Sequence, residues 1–489
     1  MLSVKNPIMT GFFPDPSICR VGNKFYTVHS TFAYFPGVPV FESEDLVHWN
    51  LISNVLDRDS QVPLSGCQHS EGIFAPTIRY HKGTWYMITT NVSDQGNFIV
   101  TAKDPRGPWS EPYYLGESTG GIDPSLFFDD DGTCYYIGQR PRSAGYRYNG
   151  DCEIWVQTLD LDTMQLKPDA TIVLTGFQRK AIWPEGPHLY KKDGYYYILH
   201  AESGTSIHHS VMIARSKNVF GPYEYCPCNP ILTHRHLGAQ YPVTCVGHAD
   251  LVDDGNGNWY MVVLACRPNQ GYTLLGRETF LAKVTWEDGW PVVNAGVGHL
   301  EEVVTLPYEG QPSDDAPQCK TYTFDTPSLP PELLTLRNHR DHELELHAEG
   351  HFVRLFHRCD SLKDRGEPAY LALRQQHWNC EFETSFMPHF CKESDCAGIA
   401  MVQSNENHLR AECYPHDSGV KLVVFLCKDS KDNPLAQIDM QPQAAIRLKL
   451  RVEGLVASVL YQSGTEWKTA ASGIDLRSLS TEHAGGFVG

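Results

Sequence analysis

The stretch "DPSICRVGNKFYTV", Asp15 to Val28, reads as two short β-strands joined by a Gly22-Asn23 turn. Its pattern recurs four more times, as "APTIRYHKGTWYMI" from Ala75, "DPSLFFDDDGTCYYI" from Asp123, "EGPHLYKKDGYYYIL" from Glu185 and "HADLVDDGNGNWYMV" from His248. Each copy carries an apolar strand, a turn containing Gly or Asn, and an aromatic pair that opens a second strand. The aligned anchors Pro16, Pro76, Pro124, Pro187 and Ala249 are 60, 48, 63 and 62 residues apart. A tyrosine recurs in step, at Tyr26, Tyr86, Tyr136, Tyr197 and Tyr260. Further strand-like segments and turns such as "SEDLVHW", "DPRGPW" and "NVFGPY" follow the hairpins. Five sheets of about four strands are therefore expected, an all-β five-bladed β-propeller.

The rest of the composition agrees with a β-rich chain. At 489 residues it is too long for one ordinary core, and 11% aromatic against 20% charged residues favours short strands and tight turns. A formal net charge of −18 argues against nucleic acid as a partner, because that requires clustered Lys and Arg to displace counterions. The opening "MLSVKNPIMTGF" has no charged region followed by an apolar run, and nowhere do eighteen apolar residues stand together. A cytoplasmic chain with no membrane partner is the expectation. Fifteen scattered cysteines, without paired CxxC motifs, read as reduced thiols rather than a disulfide framework or zinc site. The histidines of "SIHHSV" and "THRHLG" lack a second ligating element and read as loop residues.

In a propeller the first strand of each blade lines the axis, so equivalent positions converge. Those positions carry Asp15, Ala75, Asp123, Glu185 (displaced by one residue) and His248. Packing has no need of three acids around one axis, and crowding them costs repulsion and desolvation. Glycosidic bond cleavage does need such groups: a protonated acid for the leaving oxygen and an ionised carboxylate. Asp15 and Asp123 share a "DPS" setting in which the Ser hydroxyl and strand amides support the ionised form. Glu185 in "WPEGPHLY" lies beside Trp183 and two prolines, where desolvation raises its pKa. Asp15 is thus the candidate base and Glu185 the candidate acid.

The segments "GFFPDPSI", "STFAYFPGVPVFESEDLVHW", "GIFAPTIRYHKGTWYMI", "GGIDPSLFFDDDG", "WPEGPHLYKKDGYYYILHAESGT", "VGHADLV" and "LLGRETFLAKV" resemble, in order, glycoside hydrolase family 43, and within it the β-xylosidase branch. The resemblance implies Asp15 as general base, Glu185 as general acid and Asp123 as the carboxylate that tunes and orients the acid, with inversion at the anomeric carbon. It implies substrate-binding roles for Phe32 of "STF", Phe74 of "GIFAP", Thr205 of "ESGT", His248 of "VGHADLV" and Arg277 of "GRETF". Phe74 of "GIFAP" stands where xylosidase relatives usually show Trp. It also implies that His248 sits on the axis, in some members bound through water to a calcium ion, and that no organic cofactor is used.

Periodic anchors stop after residue 305, and the Pro- and acid-rich run 306–320 reads as a linker. Residues 321–489, with alternating segments such as "ELELHAEG", "NCEFETSF", "VKLVVFL" and "IRLKLRVEG", describe a β-sandwich. "ALRQQHWNCEFET" resembles the jelly-roll, concanavalin-like module that follows the propeller in these xylosidases, one loop of which can close the substrate pocket. Relatives continue past "GGFVG" with what would be one more strand, so an open sheet edge, or one covered in a homo-oligomer, is expected. The activity expected from these features is exo-release of D-xylose from β-1,4-xylo-oligosaccharides, with α-L-arabinofuranosidase activity beside it. The alternatives are mainly α-L-arabinofuranosidase activity, a retaining fructosidase, which would show an "NDPNG"-like setting, and a non-catalytic carbohydrate-binding propeller, which has no reason to keep three acids.

Overall fold

The structure, a computed structural model, describes residues 1–116, 120–176, 179–312, 319–338, 344–416, 419–441 and 444–489. Alternation of apolar and polar residues along the five repeated units produces five antiparallel sheets, each built in chain order from the inside outward. Their inner strands are Ser17–Val21, Thr77–His81, Ile122–Phe128, Glu185–Lys192 and Thr244–Asp253. Each inner strand touches the next, and the fifth returns to the first, so the sheets close around one axis as a β-propeller. Strand Leu2–Lys5 pairs with Val303–Leu306 and ties the start of the propeller to its end.

The hairpin turns form where the repeats place Gly. Val21 pairs with Lys24 across Gly22-Asn23, and Lys192 with Tyr195 across Asp193-Gly194. In the latter turn both central residues have positive φ, 49° and 74°, the twist that matches a tight hairpin. The five aligned tyrosines are all 7% exposed or less and fill the space between sheets. Tyr26, for example, meets Trp85 of the second sheet at 4.6 Å between ring centroids. All fifteen cysteines are free thiols. No helix among the described residues is long and apolar enough to cross a membrane.

The second domain is a sandwich of two four-stranded antiparallel sheets. One runs Asn379–Phe386, Ile446–Glu453, Val456–Ser463, Glu466–Asp475, and the other Ala397–Val402, His408–His416, Gly419–Lys428, Lys431–Met440. Leu409, Leu422 and Val424 of one sheet share a core with Leu448, Leu450 and Val459 of the other. The linker expected over 306–320 begins inside strand Val303–Leu306, and its residues 313–318 lie outside the described residues.

The segment before the sandwich lies along the propeller rather than in either sheet. Thr335–Leu336 pairs with Tyr34–Phe35, and Leu334 and Leu336 enter the same core as Phe12, Phe32 and Phe35. Arg337 is fully buried there. Its guanidinium donates to the carbonyls of Cys67 at 2.7 Å and Gly366 at 2.7 Å and to Asn405 Oδ1 at 3.2 Å. A shared core and a buried arginine satisfied by carbonyls from both sides join the two domains through packing and hydrogen bonds.

Candidate active site

Asp15, Asp123 and His248 have φ of 51°, 54° and 51°, a region that side chains other than Gly rarely adopt. Each stands at or just before an inner strand, and the ladders of the third, fourth and fifth sheets are irregular at this level. Such bulges turn a side chain out of the sheet and onto the axis. In the fourth sheet the left-handed position is taken by Gly186, at φ 56°, which explains why Glu185 is displaced by one residue from the repeat. A Cβ at Gly186 would lie 3.0 to 3.2 Å from the His248 ring, so a larger residue would have to displace the histidine as well as adopt the left-handed backbone. Its N–H donates to Asp123 Oδ2 at 3.1 Å.

The first carboxylate is held as an anion. Asp15 is 5% exposed, and burial alone would push its carboxyl up. The Arg277 guanidinium donates to both oxygens, at 2.6 and 3.1 Å, and Ser30 Oγ donates at 2.7 Å. With the His248 ring, whose Nδ1 lies 3.8 Å from Oδ1, these contacts outweigh desolvation and hold Asp15 below the usual carboxylate range. The supporting hydroxyl is that of Ser30, not Ser17 of the "DPS" motif, which instead donates to Asp250 at 2.8 Å.

Asp123 is held in the ionised state less firmly than its motif leads one to expect. Burial pushes it up to about 6; His248 and the Gly186 N–H oppose this, and the Asp15 charge adds to it. Its motif serine is unavailable, because Ser125 Oγ is 2.9 Å from His188 Nδ1. Glu185 is pushed well above the carboxylate range, first by burial and then by the charges of Asp123 and Asp15, with Arg277 opposing. One carboxylate is therefore kept ionised and another kept protonated around the same axis, the division of labour acid–base cleavage requires.

Beneath these groups lies a fourth acid that the sequence reading passed over. Asp250 is fully buried and accepts from Ser17 Oγ at 2.8 Å, Ile18 N at 3.0 Å and Arg79 Nη1 at 3.0 Å. Burial pushes it up, but Arg79 leads the contacts that bring it down to about 2. With Tyr190 Oη donating to it as well, it joins the first, second, fourth and fifth sheets at the axis. The repeat signalled it only as the Asp of "HADLV", where the neighbouring histidine drew attention.

The predicted wall residues gather on one side. Phe32, 1% exposed, is 5.2 Å from Phe74 between ring centroids, and the Arg277 guanidinium carbon lies 5.5 Å from the Phe32 ring. Thr205 Oγ1 accepts from Arg277 Nη1 at 3.4 Å. Arg277, expected to meet sugar hydroxyls, directs two of its N–H groups at Asp15. The residue missed was Phe487. Its ring stacks on Phe32 at 5.9 Å and meets Phe74 edge-on at 5.9 Å, and its carbonyl accepts from Arg277 Nε at 3.3 Å.

Phe487 reaches the axis because, after strand Glu466–Asp475, the chain turns back toward the propeller. Glu482 accepts from Thr273 N at 2.6 Å and from Thr273 Oγ1 at 2.9 Å. Gln403 Nε2 donates to the Val488 carbonyl at 3.1 Å, and Ser70 Oγ accepts from Phe487 N at 2.8 Å. "GGFVG" entered only as the point past which relatives continue with another strand, and so its aromatic went unassigned.

The side chains around His248 do not by themselves form a calcium cage. Calcium takes six to eight oxygen ligands, whereas the ring packs on Gly186 and faces Asp15, which Arg277 and Ser30 already occupy. Among the described residues, three ligating side chains gather only at His408, Cys427 and Asp432 in the sandwich. There Arg410 donates to Asp432 at 2.7 and 2.8 Å and Lys363 at 3.0 Å, so the chain's own cations fill the place.

Comparison with known proteins agrees with this geometry. The family model of glycosyl hydrolases family 43 matches residues 4–291, and that of the β-xylosidase C-terminal concanavalin A-like domain matches 321–489. A xylosidase/arabinosidase of Butyrivibrio fibrisolvens is 50% identical over 493 residues, covering 100% of this chain and 95% of that protein. A non-reducing end α-L-arabinofuranosidase of Bacteroides ovatus is 36% identical over 500 residues, 99% of this chain and 89% of its own. The crystal structure of a xylan β-1,4-xylosidase from Bacillus halodurans superposes with a TM-score of 0.89 at 34% identity, covering 98% of this chain and 93% of that one. With a matching family model over more than half its length and acids of opposed protonation on the propeller axis, the chain belongs to glycoside hydrolase family 43 and is a glycosidase.

Proposed function

We propose that the protein is an exo-acting, inverting glycosidase that releases D-xylose from the non-reducing ends of β-1,4-xylo-oligosaccharides and also cleaves α-L-arabinofuranosides. The observation that carries this reading is the pairing of Asp15, held ionised, with Glu185, held protonated. Asp15 takes a proton from a water whose oxygen bonds to the anomeric carbon. Glu185 gives its proton to the glycosidic oxygen as the bond from that oxygen to the anomeric carbon breaks. Asp123 holds Glu185 in its protonated state by its charge, and its bond from Gly186 N–H fixes it beside the acid. His248 and Arg277 serve the base. Phe74 and the exposed Phe487, backed by the buried Phe32, offer an apolar wall against which a sugar ring stacks.

Two features support exo action on short chains. The run 485–489, pinned by Ser70, Gln403 and Arg277, lies across one side of the site, where a polymer would otherwise pass. The relatives bearing xylosidase and arabinofuranosidase names match this chain over nearly its whole length. The test is hydrolysis of xylobiose beside the 4-nitrophenyl glycosides of β-D-xylose and α-L-arabinofuranose, with the released anomer followed by NMR. α-Xylose appearing first from a β-linked substrate is expected. β-Xylose first would refute inversion, and an arabinoside rate above the xyloside rate would reverse the order of the two activities.

A further inference from the structure

Both groups that serve the base, Arg277 and His248, are reached by one short loop of the fourth sheet. Residues 203–209 connect strand Tyr195–Glu202 to strand Ser210–Ser216. Thr205 Oγ1 accepts from Arg277 Nη1 at 3.4 Å. Four residues further on, His209 is 1% exposed, and its ring lies against the part of the fifth sheet that presents His248. His209 takes no part in proton transfer, yet the charged groups that face it are His248, Arg277 and Asp15.

The stretch from Thr244 to Ala249 departs twice from regular pairing. Thr244 stands opposite Cys266, Gly247 opposite Leu264 and Ala249 opposite Val263, so the ladder skips Cys245 and Val246 and then His248. Cys245 and His248 take φ of 59° and 51°. This double bulge puts His248 Nδ1 3.8 Å from Asp15 Oδ1, but it leaves backbone groups without ladder partners and a strained chain to be held in place. His209 answers both needs. Its Nδ1 donates to the Cys245 carbonyl at 3.0 Å, and three atoms of its ring lie 2.4 to 2.5 Å from where a Cβ on Gly247 would stand, so the imidazole packs on the backbone just before His248. His209 is itself anchored: its carbonyl accepts from Thr233 Oγ1 at 2.7 Å, and its backbone N–H donates to the Ser206 carbonyl at 3.0 Å.

A carbonyl only accepts, so Nδ1 carries the proton of the His209 ring. Burial pushes this imidazole down to about 3, which leaves it neutral and Nε2 a bare acceptor without a partner among the described residues. An unpaired buried acceptor is a cost that a leucine of similar size would not carry. What the histidine adds over such a side chain is the Nδ1–H bond.

We infer that His209 is a positioning residue for the catalytic base: its bond to the Cys245 carbonyl and its packing on Gly247 hold the double bulge that keeps His248 against Asp15. This rests on the glycosidase reading above, in which Asp15 activates water. His209 acts through His248 and touches neither the sugar nor the reacting atoms.

The test is steady-state kinetics on 4-nitrophenyl β-D-xyloside with His209→Leu, which fills the volume without an N–H, and His209→Asn, whose amide N–H falls near the place of Nδ1. His209→Leu should lower kcat about tenfold or more with KM within about threefold of native, because sugar binding does not depend on the bulge. His209→Asn should keep kcat within about threefold of native. In a His248→Ala background the leucine substitution should change kcat by less than about twofold, since the group it acts through is gone. A folded His209→Leu with native kcat overturns the inference. So does His209→Asn as impaired as His209→Leu, or an undiminished effect of the leucine without His248. Should His209→Leu lose its native circular dichroism, His209→Gln, whose amide extends one bond farther, is compared with His209→Asn, and equal kcat in the two overturns the inference. A native protein that does not cleave the xyloside refutes the glycosidase reading and this inference together, whereas native cleavage with His209→Leu unimpaired refutes only the inference.

Discussion

At the scale of single residues, the chemistry follows from how burial and charge compete at each carboxylate. Asp15 and Glu185 are both desolvated, but only Asp15 has a guanidinium on both oxygens, so it ionises while Glu185 keeps its proton. Asp15→Asn and Glu185→Gln should each lower kcat on xylobiose by about 10²–10⁴-fold while leaving the thermal unfolding midpoint close to native. Steady-state kinetics with a melting curve would check this; near-native turnover in either variant would remove that residue from its role. The pH profile of kcat/KM should be bell-shaped. Activity is lost as pH falls through the depressed pKa of Asp15, because the base becomes protonated. It is lost again as pH rises through the elevated pKa of Glu185, because the acid loses its proton. Asp123→Asn removes a negative charge next to Glu185 and should move the alkaline limb to lower pH. An unmoved limb would mean that burial alone holds the proton.

At the scale of elements, the inner strands do two jobs, closing the ring and aiming side chains. Regular pairing serves the first, and the left-handed residues Asp15, Asp123, Gly186 and His248, the last three at bulges, serve the second. The departure of Glu185 from the repeat shows how they combine: glycine takes the strained position, frees its N–H for Asp123 and lets His248 close in behind. Gly186→Ala should force the strand or the histidine to shift. The expected result is a fall in kcat of about 10²-fold with a smaller change in KM and retained secondary structure. Native kcat in this variant would show that the bulge does not position the acid.

At the scale of the whole molecule, the sandwich completes a site that the propeller begins. Leu334, Leu336 and Arg337 fasten the chain to the propeller core, and the return from strand Glu466–Asp475 delivers Phe487 to Phe32 and Phe74. Phe487→Ala should raise KM for 4-nitrophenyl β-D-xyloside about tenfold, since one face of the apolar wall is lost. The unfolding midpoint should hardly move, because the ring is 41% exposed. An unchanged KM would mean that the substrate does not reach this wall.

The fold was legible because a propeller is written locally: each unit repeats its turn glycine and its aromatic pair, and both act within one hairpin or between neighbouring sheets. The convergence of Asp15, Asp123, Glu185 and His248 was legible for the same reason, since equivalent repeat positions meet on the axis. What the sequence left undetermined were contacts made across large separations. Ser30 rather than Ser17 supports Asp15, Arg277 clamps that base from the far end of the propeller, and Asp250 ties four sheets under it. Phe487 reaches the site only by way of the sandwich, from 455 residues beyond Phe32 in the chain (487 − 32). Protonation states likewise depend on the sum of desolvation and neighbouring charges, which only the tertiary structure assembles; two identical "DPS" motifs therefore end with one carboxyl held low and the other pushed up to about 6.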